Sequence, residues 1–295
     1  MSDYILPLMG AAFGAAAALP LQHLYNIFPE AWLQDYDYDP TAGNHRAARR
    51  MTFIPHTFFV LISLGLLFFL AFFANKSFVS DRAVFHILLV LLPLLPFSLI
   101  VVSDQLNRII PDQLVAAVAV FSIFGFLADP LEGNMWMSPH TAWYMYPVNR
   151  ILGALIGAGL LWGIGILGSW ISGQDSMGFG DVKLMFACGL LCGAYGLGFV
   201  FFFAFVLGGL FAIPLYIRKR QRIRAEEKMI LTSENPDATR KMLDDQKENV
   251  HFADNPDYIA FGPFLTLGTA AFLVCETPLY EFFRTQILAS ARMLF

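Results

Sequence analysis

Eight long apolar stretches constrain the fold of this chain more than any other feature. A helix needs about 20 mostly apolar residues to cross a lipid bilayer. Only 14% of the residues are charged, against roughly a quarter in soluble domains, so the composition excludes an ordinary soluble protein. The pattern predicts an all-α polytopic membrane protein with about eight transmembrane helices. The stretches lie at about residues 4–20, 55–74, 84–103, 113–129, 148–171, 182–195, 197–217 and 258–275.

The positions of lysine and arginine predict which side each loop faces, because cytoplasmic loops are enriched in these residues. If the amino terminus lies outside, 14 of the 19 fall on the cytoplasmic side and five on the outer side. The five are Lys76, Arg82, Arg150, Arg284 and Arg292. The segment Met1-Ser2-Asp3 lacks the positive charge that opens a signal peptide, so we expect the first stretch to remain as a span.

These segments divide the chain into five parts. We expect a first transmembrane helix at 1–20, a cytoplasmic loop at 21–54, a membrane core at 55–217, a cytoplasmic helical hairpin at 218–257, and a last transmembrane helix with an interfacial tail at 258–295. The hairpin is expected because its charges balance and Asn235-Pro236-Asp237 favours a helix break followed by a capped helix. In the fifth stretch, small residues such as Gly153 and Gly157 predict close helix packing.

Two aspartates at the ends of apolar stretches are the candidate catalytic groups. Asp181 follows Gly178-Phe179-Gly180 directly before the sixth stretch, and an ionisable residue in that position indicates function. Because glycine has no Cβ, we expect the motif to form a turn that presents Asp181 and allows close approach. Asp104 closes the third stretch on the same predicted side. Two neighbouring carboxyl groups do not both ionise cheaply, so one can donate a proton while the other activates water.

Other polar residues near these aspartates have simpler interpretations. Pro111 and Asp112 fit the start of a helix, where an acidic residue is favoured by the helix dipole. Asp175 lies in an ordinary polar loop and is a weaker rival to Asp181. Lys183 either influences Asp181 or marks the cytoplasmic side.

Pro93 and Pro96 should kink the third span and can aim Asp104 into a cleft. Packing against neighbouring helices explains these two prolines equally well.

No metal site is predicted. Cys188, Cys192 and Cys275 all lie inside apolar stretches, where a free cysteine packs as a small hydrophobic residue. The acidic segment from Asp35 to Asp39 suits a solvated loop better than a calcium site. The aromatic residues of the loop at 130–147 predict a belt at the outer membrane surface. They are Trp136, Trp143, Tyr144 and Tyr146.

Three motifs in this order resemble those of the type IV prepilin peptidases, polytopic aspartic proteases of the bacterial inner membrane. They are Asp104 with Ile110-Pro111-Asp112, then Gly178-Phe179-Gly180-Asp181-Val182-Lys183, then Phe261-Gly262-Pro263-Phe264. The resemblance covers about residues 84–275, and the first third of the chain is less similar. The glycine-flanked aspartate alone is a short motif, but the order, the spacing and the shared predicted side make the set specific.

The resemblance implies that the protein cleaves the basic leader of type IV prepilins or pseudopilins, typically after a glycine, for a pilus, secretion or competence system. Cleavage would take place at the cytoplasmic face of the membrane, with Asp104 and Asp181 as the catalytic pair and without a metal or cofactor. The expected partners are the prepilin substrate and membrane lipid, with no nucleic acid. The supporting residues would be Gly178, Gly180, Pro111, Asp112 and Lys183.

Many family members also methylate the new amino terminus with S-adenosylmethionine. Those members usually carry two Cys-x-x-Cys pairs in the first cytoplasmic loop. This sequence has no cysteine between Leu21 and Ile54, which excludes a zinc-bound loop of that kind and leaves methylation open.

Three alternatives remain at this point. An intramembrane protease of the signal-peptide-peptidase or presenilin kind also places an aspartate after Gly-x-Gly, but its Tyr-Asp and Pro-Ala-Leu motifs are missing. A proton- or cation-coupled transporter could use Asp104 and Asp181 as a relay, although it would be expected to show charges at several depths and repeated halves. An inactive structural member of a secretion assembly would keep the same fold.

Overall fold

The computed structural model describes residues 4–34, 41, 46–75, 83–138, 140–173, 177–233, 235–248 and 260–288. Every regular element within these ranges is helical, which confirms the all-α prediction. Several residues considered above lie outside the described ranges. They are Met1 to Asp3, Asp35 to Asp39, Lys76, Arg82, Asp175 and Arg292.

The helices follow the predicted apolar stretches. They are α1 Ile5–Ala16, α2 Ala18–Asn26, α3 Phe58–Ala74, α4 Val84–Leu91, α5 Leu94–Asn107, α6 Asp112–Phe121, α7 Ile123–Glu132, α8 Met145–Ser172, α9 Phe179–Thr232, α10 Pro236–Glu248 and α11 Gly262–Phe282. A 3₁₀ turn lies at Glu30–Leu33, and π-helical turns lie at Phe53–Thr57 and Phe283–Leu288. The break between α4 and α5 falls at Leu92 and Pro93, which confirms the kink predicted from the prolines.

Six segments of the described chain are long and apolar enough to cross a membrane, so the protein is a polytopic membrane protein. They are Ile5–Asn26, Phe53–Ala74, Val84–Asn107, Asp112–Glu132, Met145–Ile171 and Phe179–Thr232. The sequence predicted eight spans. The predicted sixth and seventh both fall within α9, and the eighth corresponds to α11, which is not among the six.

Helix α9 reverses direction at Gly193, which explains part of this difference. Gly193 has a φ of 66° and a ψ of 177°, a left-handed conformation that favours glycine. Gly157 of α8 lies against both Met185 and Leu197, which come before and after the reversal. Met185 and Leu197 therefore lie at the same level of α8. Residues 179–192 and the residues after Gly193 are two separate helical passes through the bundle. The sequence prediction of two separate stretches therefore describes the path better than one continuous helix.

Small residues bring the passes together. Gly153 lies against the backbone of Gly189 and Gly193, which confirms the close packing predicted for the fifth stretch. After the reversal, Gly196 lies against Phe272 of α11, and Ala204 lies against Gly268. The two helices therefore run antiparallel, and this packing carries the start of α11 back to the level of Asp104.

A polar layer closes the other end of the bundle. Arg150 forms a buried bidentate ion pair with Asp129, at 2.7 Å from Nε to Oδ2 and 2.8 Å from Nη2 to Oδ1. Its Nη1 also donates to the carbonyls of Leu190 and Leu191, where a positive charge stabilises the end of a helix. Arg150 was counted as an outer loop residue from the sequence, but it lies inside α8 and joins α7 to residues 179–192.

Trp136 also belongs to this layer. Its Nε1 donates to Glu276 of α11 at 3.0 Å, and its ring packs against Phe199 and Phe272. The sequence assigned it to a surface belt. That assignment is wrong for Trp136, whereas Trp143 of the same loop is 75% exposed.

The ends of the chain differ from the prediction in extent. The first helical segment continues to Asn26, so part of the predicted loop at 21–54 is helical. Helix α11 continues past Pro278 to Phe282, where an interfacial tail was expected. The long second part of α9 ends at Thr232, and α10 begins after Asn235, whose Oδ1 accepts a hydrogen bond from the N–H of Ala238. Helices therefore lie on both sides of Asn235, and the cytoplasmic hairpin expected at 218–257 stays a prediction.

Candidate active site

Asp104 lies in the last turn of α5. Asp104 is buried, with 6% of its surface exposed. The helix ends at Arg108, which has a φ of 57° and donates its backbone N–H to the carbonyl of Asp104 at 3.1 Å. This left-handed residue stops the helix one turn beyond the aspartate. The chain then passes through Ile110 and Pro111 into α6, as the sequence predicted.

Asp181 lies in the first turn of α9. Gly178 precedes the helix in extended conformation with a φ of −69°, and the backbone N–H of Asp181 donates to its carbonyl at 3.1 Å. The expected glycine turn is therefore wrong in detail. Neither Gly178 nor Gly180 has a positive φ, and Asp181 is presented from the start of a helix.

The glycines instead provide close approach between elements. A Cβ built on Gly180 would lie 3.4 Å from the Cβ of Ile110, so α9 can pack tightly on the segment between α5 and α6. A Cβ on Gly262 would lie 2.7 Å from Oδ2 of Asp104 and 2.8 Å from Cδ1 of Ile110. Gly262 therefore has no room for a side chain, and Ile110 is the residue about which the three motifs meet.

The two aspartates come together at this point. Asp104 and Asp181 are close enough for their carboxyl groups to interact electrostatically. Asp104 also interacts with the charge of Arg108 and with the backbone N–H of Gly262. Motifs more than 150 residues apart in the sequence therefore form one cluster. The sequence predicted the pairing of the aspartates, but it did not predict the contact with Gly262.

Each aspartate has a buried oxygen that accepts no hydrogen bond from the described residues. These atoms are Oδ2 of Asp104 and Oδ1 of Asp181. A buried polar atom without a partner is uncommon, because leaving it unsatisfied costs free energy. The two oxygens are therefore available to accept a hydrogen bond from a water molecule or a bound substrate. The arrangement suits two carboxyl groups that share a proton and act on one bound group.

Asp112 and Lys183 form a second contact beside the pair. Nζ of Lys183 donates to both carboxylate oxygens of Asp112, at 2.8 and 2.9 Å. The contact joins the first turn of α6 to the first turn of α9, which carries Asp181. Asp112 is the first residue of α6, as the sequence indicated, and its contact with Lys183 was not predicted. Lys183 also lies over the ring of Phe179, with Nζ 5.2 Å from its centroid.

A buried polar network that sequence reasoning missed holds the end of α5. Asn107 accepts a hydrogen bond from the N–H of Arg49 at 2.8 Å and donates to the hydroxyl of Tyr25 at 3.0 Å. Ser103, beside Asp104, donates to the carbonyl of Ile109 at 2.9 Å. The network fixes Asn107 to α2 and to the first loop, and it fixes Ser103 to the segment that follows α5. The polar residues Ser103 and Asn107, one turn apart on α5, are the sequence signal that could have indicated it.

Within the described part of the chain, no group of three or more His, Cys, Asp or Glu residues is arranged to hold a metal ion. The three cysteines lie in the helices as free thiols, and Cys188 and Cys192 are buried. That the protein works without a metal stays a prediction.

Comparison with known proteins bears on this cluster. Residues 89–213 match the model of the type IV leader peptidase family, and this range contains both Asp104 and Asp181. The resemblance to type IV leader peptidases is confirmed. A prepilin leader peptidase/N-methyltransferase of Xanthomonas campestris pv. campestris is 28% identical over 120 residues, which are 40% of this chain and 37% of that protein. No solved structure matches the chain.

Proposed function

We propose that the protein is a membrane aspartic endopeptidase that removes the leader from type IV prepilins or pseudopilins. The observation that carries the proposal is the meeting of Asp104 and Asp181, each with a buried oxygen that accepts no hydrogen bond from the described residues. Both lie within the range that matches type IV leader peptidases. The similar protein from Xanthomonas is named for the same activity.

The environments of the two carboxyl groups suggest a division of work. Asp104 has the guanidinium of Arg108 and the N–H of Gly262 near it, and both groups favour a negative charge. The charge that acts on Asp181 is that of Asp104 itself. Asp104 is therefore assigned as the base that takes a proton from water. Asp181 is assigned as the acid that donates its proton to the carbonyl oxygen of the scissile bond.

The reaction then proceeds through a tetrahedral intermediate. The water oxygen bonds to the carbonyl carbon as its proton passes to Asp104 and the carbonyl oxygen receives the proton of Asp181. The proton on Asp104 next passes to the leaving nitrogen, and the C–N bond breaks as the hydroxyl proton returns to Asp181. The pair ends in its starting state, so each turnover consumes only water and peptide. Activity should fall at both low and high pH, since one carboxyl group must be ionised and the other protonated.

The location of cleavage follows from the predicted orientation. If the loops rich in lysine and arginine face the cytoplasm, the pair lies near the cytoplasmic surface of the bacterial inner membrane, where it can meet a basic leader. Cleavage does not require S-adenosylmethionine, so methylation of the new amino terminus is a separate activity that the same assay can measure.

A cleavage assay tests the proposal. Purified protein in detergent is mixed with a prepilin-type substrate, and the intact mass of the product is measured with and without S-adenosylmethionine. A mass loss equal to a leader ending in glycine, absent in the Asp181→Ala variant, is expected. A further gain of one methyl group would establish methylation. If the folded protein cleaves none of several such substrates, the peptidase proposal fails and a transporter or scaffold becomes the better account.

A further inference from the structure

An apolar groove lies in the bundle along the same faces of α5 and α11 that carry Asp104 and Gly262. It lies between α3, α5 and α11 and has a volume of about 40 Å³. Leu64, Phe97 and Ala270 form part of its buried floor, and Phe59 and Leu267, which are 49% and 39% exposed, flank its opening. The groove therefore opens sideways, between α3 and α11, toward the surroundings of the bundle.

The groove shares its helix faces with the active site. On α5, Leu94, Phe97 and Val101 line it, and their spacing continues to Asp104 on the same helix face. On α11, Thr266 lines it one turn beyond Gly262. At 1.5 Å per residue, Val101 lies about 4.5 Å and Phe97 about 10 Å along the helix from Asp104. A chain whose scissile bond meets the aspartates can therefore continue directly along the groove.

The chemistry of the walls selects an apolar occupant. The hydroxyls in the walls already bond within their own helices. Ser63 donates to the carbonyl of Phe59, Ser98 to that of Leu95, and Thr266 to that of Pro263. The volume suits a few water-sized groups, which is comparable to the tip of one aliphatic side chain and far smaller than a helix.

We infer that the groove binds the tip of one aliphatic side chain of the substrate's membrane helix, about three to seven residues after the scissile bond. The inference rests on the proposed function. A helix that leaves the aspartates toward the bilayer interior would lie across the opening between Phe59 and Leu267 and insert this side chain between α3 and α5. The groove would thereby set the register of the substrate and hence the bond that is cut.

The test changes the size of one substrate side chain and, separately, the size of one residue that lines the groove. A series of prepilin-type substrates carries either Leu or Ala at each of the second to ninth positions after the scissile bond, and kcat/KM is measured for each. The wild-type enzyme should prefer Leu at one position between about three and seven by roughly tenfold or more, since one or a few methylenes in a pocket change rates by such factors. Ser63→Phe, which fills the groove, should lose this preference and favour Ala at the same position.

Two further variants complete the test. Ser98→Leu narrows the groove from the α5 side and should shift the preference in the same direction. Leu66→Phe is the matched control, because Leu66 is 55% exposed on α3 and does not line the groove; it should keep the wild-type preference.

The possible results are distinct. Unchanged preferences in both groove variants would overturn the inference. Variants that change the stability of the protein but not its choice of substrate would also overturn it, and would indicate that the groove holds a lipid chain. Equal loss on every substrate in both variants would also overturn it, because it would show a general structural role. If the wild-type enzyme cleaves no member of the series, the proposed function itself fails.

Discussion

Replacing Gly262 with alanine is the smallest change that reaches the carboxyl group of Asp104. The new Cβ would lie 2.7 Å from Oδ2 of Asp104 and 2.8 Å from Cδ1 of Ile110, whereas ordinary contacts of a Cβ begin at about 3.4 Å. Asp104 or the start of α11 must therefore move by roughly 0.7 Å. The carboxyl group of Asp104 is buried, and Ile110 also contacts Gly180. The displacement therefore changes the position of the carboxyl group of Asp104 relative to that of Asp181.

The expected cost falls mainly on catalysis. A displacement of about 1 Å at a reacting group can reduce the rate about a hundredfold, so we expect kcat/KM for cleavage to fall by about 10- to 100-fold. Overpacking costs about 1–3 kcal/mol of stability, and the higher helix propensity of alanine offsets up to about 1 kcal/mol of it. The variant should therefore remain folded.

Gly159→Ala is the matched control. A Cβ at Gly159 of α8 meets no heavy atom within 4 Å, so this variant should cleave at the wild-type rate. Both variants are compared by kcat/KM on a prepilin-type substrate and by the midpoint of thermal unfolding in the same detergent. If Gly262→Ala cleaves as fast as wild type while Gly262 is confirmed beside Asp104, the reasoning that links this contact to catalysis is wrong.

Three other changes test separate parts of the structure. Asp112→Asn removes a partly exposed ion pair with Lys183 worth at most about 1 kcal/mol, so kcat/KM should fall by less than about tenfold; a loss as large as that of Asp181→Ala would mean that Asp112 is a catalytic acid. Arg150→Met leaves Asp129 buried without its cation and should lower the free energy of unfolding, measured by denaturation, by about 3–5 kcal/mol. Adding Asp129→Leu to this variant should recover most of that loss. An unchanged free energy of unfolding in the single variant would refute the buried ion pair. Treatment with a strong metal chelator should leave cleavage unchanged, and loss of activity that zinc or another metal restores would contradict a two-carboxylate mechanism.

The sequence predicted the helices well because their signal is local. Most of the apolar stretches are long enough to be recognised alone, and the predicted boundary between the sixth and seventh stretches lies close to the observed break at Gly193. The kink before α5 followed from Pro93, whose ring cannot fit inside a regular helix. The pairing of the aspartates could be predicted because Asp104 ends one apolar stretch and Asp181 precedes another, both on the side indicated by the lysines and arginines.

The details of the site were less predictable because they depend on contacts between distant segments. The glycines before Asp181 suggested a turn, yet glycine serves positive φ and close packing equally well, and here the packing on Ile110 is the reason. The partner of Lys183 proved to be Asp112, on another helix. Arg150 was assigned to the outer surface because charge counting does not reveal a buried partner such as Asp129.

The most direct test of the central claim compares Asp104→Asn, Asp181→Asn and the double variant in the cleavage assay, with kcat/KM and the folded state measured for each. If the two carboxyl groups act as a unit, each single variant should abolish cleavage and the double variant should be no worse than either. A single variant that retains the wild-type rate would remove that aspartate from the mechanism. Multiplicative losses in the double variant would show that the two residues act independently and would contradict the shared catalytic pair.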